Sequence, residues 1–211
     1  MNIENGETVL FIGDSITDCS RSRPIGKGTG LGAGYVSLVD SMLATEYPEI
    51  NIQVLNLGIN GNRITDLGSR WQRDVLDLQP NWLVVLIGIN DVWRQFDRPL
   101  DPNQVTVELF ESTYRKLLTD IKPSLSGLVL LSPYFVETNL ENPMRIKMDG
   151  YGSVVGKIAA EFGANFVDLQ SSFDCYLSYR SIDSISDDQV HLNRIGHTKI
   201  ASDVFQTLTH V

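Results

Sequence analysis

The alternation of short apolar runs with helix-period stretches constrains this chain more than any other feature of it. Residues 8–12, 51–57 and 82–87 are apolar runs closed by Gly13, Gly58 and Gly88. Residues 128–131 form a fourth run, ending at Ser132-Pro133, and residues 166–169 a weaker fifth. Runs that are apolar on both faces fit strands of a parallel sheet covered by helices. Between them, apolar residues recur at three- and four-residue steps. Tyr35, Leu38, Val39, Met42 and Leu43 form one such stripe, and Phe110, Tyr114, Leu117, Leu118 and Ile121 another. Val154, Val155, Ile158, Ala159 and Phe162 form a third, and Ile200, Ala201, Val204, Phe205 and Leu208 a fourth. A weaker helix is expected over residues 63–77, ahead of Pro80. We read the stripes as core-facing. The order predicts a three-layer α/β fold: one mostly parallel five-stranded sheet flanked by helices, in a single domain over residues 1–211.

Charge and composition narrow the partners. Lys plus Arg number 17 against 26 Asp plus Glu, a net charge of −9, so nucleic acid and anionic membrane are poor partners. No apolar run approaches the roughly 18 residues of a membrane span. The N-terminal stretch has no basic segment leading an apolar one, which predicts a cytoplasmic protein. Cys19 and Cys175 make no disulfide framework and read as reduced thiols. Histidine occurs at 191, 197 and 210 only, with no HExxH, CxxC or Cys/His cluster, so no metal site is expected.

Ligands of such a sheet bind at the carboxyl ends of its strands. Residues 13–17, 58–62 and 88–91 fall there together, each opening with glycine and each offering small polar groups. A fourth segment, residues 187–193, lies just before the last helix. Asp188 and His191 are three apart, so a turn or short helix projects both to one side. The carboxylate would accept a proton from one ring nitrogen and leave the other as a base, which a serine nucleophile needs. Asp187, four before His191, is the alternative carboxylate.

Taken together these segments resemble four blocks of the SGNH hydrolases, also called GDSL-type esterases and lipases. Gly13-Asp14-Ser15-Ile16 matches the first block, and Asn56 to Gly61 (Asn-Leu-Gly-Ile-Asn-Gly) the second. Gly88-Ile89-Asn90-Asp91 matches the third, and Asp188-Gln189-Val190-His191 the fifth. The resemblance implies the flavodoxin-like SGNH fold. It implies Ser15 as nucleophile, His191 as general base and then acid, and Asp188 as the orienting carboxylate. The N–H groups of Ser15 and Gly61 and the Asn90 amide are implied as the oxyanion hole. Block II often carries serine where this chain has Asn60. The Gly-x-Ser-x-Gly elbow of α/β-hydrolases is absent, which disfavours that fold.

Residues 10–19, 87–95, 143–145, 148–149 and 151–152 are further similar to bacterial SGNH acetylxylan esterases that lack a secretion signal. The implied substrate is an acetylated saccharide, such as a xylo-oligosaccharide, with no cofactor and no metal. Trp93 would then stack on a sugar ring and Arg94 line the same mouth. A lysophospholipase or thioesterase on longer acyl chains is the alternative within the superfamily, and a non-catalytic binding module the alternative outside it. Asp14 and Asp91 read as loop-holding hydrogen bonders, and His197 and His210 as structural or exposed. The glycine-rich stretch 26–34 reads as a mobile loop near the site, with Arg21, Arg23 and Lys27 on a solvated face. Trp71, Trp93 and Phe96 are the aromatics available to a subunit interface, so a homo-oligomer stays open.

Overall fold

The computed structural model describes residues 3–209. All five apolar runs become strands: β1 (Thr8–Gly13), β2 (Gln53–Asn56), β3 (Trp82–Leu86), β4 (Gly127–Leu131) and β5 (Asn165–Val167). They form one sheet in the order β2-β1-β3-β4-β5, with every adjacent pair parallel. Alternate residues face opposite sides of a strand. Leu10, Ile12, Leu83, Val85, Leu128 and Leu130 therefore enter one apolar core, and Val9, Phe11, Val84, Leu86, Val129 and Leu131 the other.

The four apolar stripes lie on α2 (Tyr35–Glu46), α5 (Val107–Ile121), α6 (Pro143–Phe162) and α8 (Arg194–Thr209). The stripes of α5 and α6 cover the first core and those of α2 and α8 the second, which gives three layers. Local chemistry sets the ends of α6. The Asn142 side chain accepts the Met144 and Arg145 N–H groups, Pro143 stands in the first turn, and Gly163 closes the helix in the left-handed conformation. The helix expected over 63–77 divides into α3 (Ile64–Trp71) and a π turn, Gln72–Leu76. Three helices were not anticipated: α1 (Ser15–Asp18), α4 (Ile89–Asp97) and α7 (Leu169–Leu177).

After β1 the chain moves outward to β2, then returns past β1 to β3. The connections therefore diverge between β1 and β3, and a crevice opens beyond their carboxyl ends. α1 leaves β1 there and α4 leaves β3. The segment after β2 closes over the crevice. Gly58 allows this, because a Cβ at that position would lie 2.3 Å from the Asp18 backbone nitrogen.

Candidate active site

Ser15 is the first residue of α1. Asp14 caps that helix by accepting the Ile16 N–H (3.0 Å). Ser15 Oγ lies 3.1 Å from His191 Nε2, and His191 Nδ1 lies 2.7 Å from Asp188 Oδ2. An ionised carboxylate only accepts, so Nδ1 carries the ring proton and Nε2 is left to accept from the serine hydroxyl. The other Asp188 oxygen accepts the N–H groups of Val190 (3.0 Å) and His191 (2.7 Å). Burial raises the Asp188 carboxyl, but the hydrogen bonds from His191 and from these two N–H groups outweigh it and hold it below the usual carboxylate range. Asp188, not Asp187, is thus the carboxylate against the imidazole. Residues 187–190 are bends rather than helix, and Ser186 Oγ steadies them by donating to His191 O (2.8 Å).

The donors flank this chain of contacts. Asn90, on the first turn of α4, is 3% exposed. Its Nδ2 gives one hydrogen to Asn62 O (3.1 Å) and has a second to give. Gly61 has φ +77° in a segment bound on one side to Asp18, through the Asn60 N–H (3.1 Å), and on the other to Asn90. The Ser15 N–H stands at a helix start, where no intrahelical acceptor exists.

Several supports were not read from the sequence. Arg70, inside α3, donates to Gly13 O (3.1 Å), Leu57 O (2.8 Å) and Asn62 Oδ1 (2.8 Å), and pairs with Asp74 (2.7 Å). It joins the ends of β1 and β2 to the Gly61 segment. A usable signal existed: an arginine with Asp74 four residues on, interrupting the apolar positions Ile64, Leu67 and Trp71. Asn56 has the same clamping role. It donates to Thr17 O (2.7 Å) and Leu31 O (2.8 Å) and accepts the Gly58 N–H (2.9 Å).

Trp93 and Arg94 do lie beside the site. The Trp93 ring sits 6.0 Å from the His191 ring at 60°, and the Arg94 guanidinium lies 5.2 Å over Trp93. Arg94 also reaches Asn90 Oδ1 (3.5 Å) and pairs with Asp97, so its charge is already engaged. Asp14 and Asp91 hold loops as expected, Asp91 by accepting the Ile64 N–H (2.9 Å). Burial pushes both carboxyls up to about 7, against backbone hydrogen bonds that lower them.

Other expectations need correction. Arg21 is not on a solvated face: it is 5% exposed and donates to Gly58 O (2.7 Å) and Pro24 O (2.6 Å). Its neighbour Arg23 pairs with Asp18 (2.5 Å), and Lys27 is exposed. The 26–34 stretch is built into the scaffold through Gly26 N–H to Asn56 O (3.0 Å) and Ala33 N–H to Cys19 O (2.8 Å). Trp71 is 3% exposed and unavailable to an interface, because it packs in the first core.

His197 is buried between the Tyr35 N–H (3.2 Å) and Cys19 Sγ (3.2 Å). Burial, with the His191 charge second, lowers it to about 4. His210 lies outside the described residues. Among the described residues no group of three or more His, Cys, Asp or Glu side chains could hold a metal, and no helix is long and apolar enough to cross a membrane.

Comparison with known proteins places these residues in context. Residues 11–199 match the GDSL-like Lipase/Acylhydrolase family. The chain is 45% identical over 204 residues to an acetylxylan esterase of Geobacillus stearothermophilus, covering 95% of this chain and 93% of that one. The crystal structure of an acetylxylan esterase from that organism matches with a TM-score of 0.97 and 43% identity, over 99% of this chain and 97% of that one. Its catalytic mutants carry alanine for a serine, for an aspartate and for a histidine three positions beyond that aspartate. An alpha/beta hydrolase from the metagenome of Lake Arreo, Spain, matches with a TM-score of 0.95 and 39% identity, over 98% of this chain and 97% of that one.

Proposed function

This chain belongs to the GDSL-like lipase/acylhydrolase family and has the SGNH fold, and on that premise we propose that it removes acetyl groups from xylo-oligosaccharides with Ser15, His191 and Asp188 as its triad. The observation that carries the proposal is the unbroken chain of contacts from Ser15 Oγ through His191 to Asp188, at 3.1 and 2.7 Å. The spacing of the aspartate and histidine in the Geobacillus catalytic mutants supports the same assignment.

In this reading Ser15 Oγ attacks the acetyl carbonyl carbon as its proton passes to His191 Nε2. Asp188 keeps the ring oriented and stabilises the imidazolium. The carbonyl oxygen becomes an oxyanion held by the Ser15 and Gly61 N–H groups and the free Asn90 hydrogen. Fixed donors of this kind each contribute roughly 3 kcal/mol to the transition state. The C–O bond to the sugar then breaks, and the leaving oxygen takes the proton from His191. Water, deprotonated by His191, attacks the acetyl-serine and releases acetate. No step calls on a cofactor. Trp93 is half-buried beside His191; with the Arg94 guanidinium over one face of its ring, a sugar would stack on the other.

We place the enzyme in the cytoplasm, on short saccharides, where Cys19 and Cys175 would stay free thiols. Of the aromatics weighed for a subunit interface, Phe96 is exposed and Trp93 half-buried. Sedimentation of the wild-type chain decides whether it self-associates. The test of function is hydrolysis of p-nitrophenyl esters from acetate to long chain, with acetate release from acetylated xylo-oligosaccharide alongside. The acetyl ester should be fastest, and Ser15→Ala should lose activity at least a thousandfold, the scale of losing a nucleophile. Preference for long chains replaces the substrate, and an active Ser15→Ala removes the mechanism.

A further inference from the structure

The turn carrying Asp188 and His191 is docked onto the segment that follows β4. Tyr134 Oη donates to Val190 O (3.0 Å), the Val136 N–H to Gln189 O (2.9 Å), and Gln189 Nε2 to Glu137 Oε2 (3.3 Å). Gln189 stands between the two residues of the dyad with φ +66°. A residue with a side chain stays in that region only where its surroundings hold it, and such residues gather at functional sites.

The docking segment is itself anchored. Gln170 accepts the Phe135 N–H (2.8 Å) and donates to Phe135 O (3.2 Å). Arg145, its side chain 4% exposed, donates to Glu137 O (2.6 Å) and pairs with Asp149 (2.8 Å) and Asp174 (2.5 Å). The Glu137 carboxylate also accepts the Asn139 N–H (2.9 Å) and Asn142 Nδ2 (3.2 Å). It is therefore fixed independently of Gln189.

We propose that Gln189 and Glu137 are positioning residues for ester hydrolysis: their contact holds the left-handed turn that sets the His191 imidazole between Ser15 Oγ and Asp188. Neither touches the reacting atoms. The inference rests on the triad reading above.

Two substitutions at Gln189 test it. Gln189→Glu sets two carboxylates against each other and breaks the contact. Gln189→Met, of similar size and uncharged, removes the donor and leaves the Glu137 contacts to Asn139 and Asn142 in place. Gln189→Glu should lower kcat on p-nitrophenyl acetate about tenfold, the fold-change of one lost hydrogen bond, with KM within about twofold and the melting temperature near wild type. Gln189→Met should lower kcat by a similar factor, since it loses the same bond.

An unchanged kcat in Gln189→Glu overturns the proposal. So does wild-type kcat in Gln189→Met, because charge rather than the contact would then govern the rate. Should Gln189→Glu not fold, Gln189→Ala deletes the contact while the left-handed turn must still be held, and wild-type kcat there overturns the proposal equally. His191→Ala is assayed in parallel. If it is active, the triad reading falls and the positioning role with it. If it is inactive while Gln189→Glu matches wild type, the positioning role alone falls.

Discussion

Asn90 holds its amide between two partners: Nδ2 faces Asn62 O and Oδ1 faces Arg94. That arrangement fixes which end of the amide donates toward the crevice. Asn90→Ala should therefore lower kcat by about 10²- to 10³-fold with little change in KM, read from steady-state hydrolysis of p-nitrophenyl acetate. Asn90→Asp should do no better, since a carboxylate has no hydrogen to give. At this scale the candidate site was largely legible as a set of neighbours. Ser15, Asn90, Asp188 and His191 are residue types that acyl transfer requires, and they stand at strand ends marked by glycine. The holding roles of Arg70, Asn56 and Gln189 were not legible, because what they meet lies elsewhere in the chain: mostly backbone carbonyls for Arg70 and Asn56, and Glu137 for Gln189. Which carbonyl an arginine meets depends on the path of the chain, which a spacing of side chains does not carry.

The helices missed from the sequence are those that serve the site. On α4 the inward face carries Asn90 and Asp91 among its apolar residues, and on α7 it carries Gln170. Polar groups turned inward interrupt the stripe by which an amphipathic helix is recognised. β5 was weak for another reason: it is a three-residue edge strand whose Phe166 is 39% exposed. Residue 169, read with that strand, begins α7 instead. α3 carries the clearest element-scale consequence, because Arg70 ties it to two strand ends. Arg70→Met should destabilise the fold by roughly 3 kcal/mol, the low end for breaking a buried ion pair, since Arg73 still holds Asp74. It should also lower kcat at temperatures where the variant is folded, because the Asn62 side chain loses its anchor. Denaturant midpoints and kcat measured on the same preparation separate the two effects.

Stability across pH belongs to the whole molecule. Asp14 and Asp91 sit fully buried where the connections diverge, each with one carboxyl oxygen unpartnered among the described residues. Burial raises both, Asp14 adds its charge to Asp91, and each is pushed from the ordinary carboxylate range up to about 7. The folded state thus favours the protonated form. The stability it confers is complete below about pH 4 and is lost as pH rises through 7. Asp91→Asn keeps an oxygen for the Ile64 N–H and cannot ionise. Its melting temperature should fall less between pH 5 and pH 8 than that of wild type; an equal or larger fall contradicts the assignment.

Ser15 and His191, in contact across the crevice, are 176 residues apart in the chain. Of the two proposed partners the hydroxyl is synthesised first and the imidazole only after all five strands. The sheet can be complete while Ser15 still has no imidazole beside it. α8, which follows His191, packs against α2. On the proposed mechanism these distant segments must meet before an ester can be cut. A chain grown only as far as β5 then carries an inert hydroxyl, and esterase activity reports that residue 191 has been made and docked.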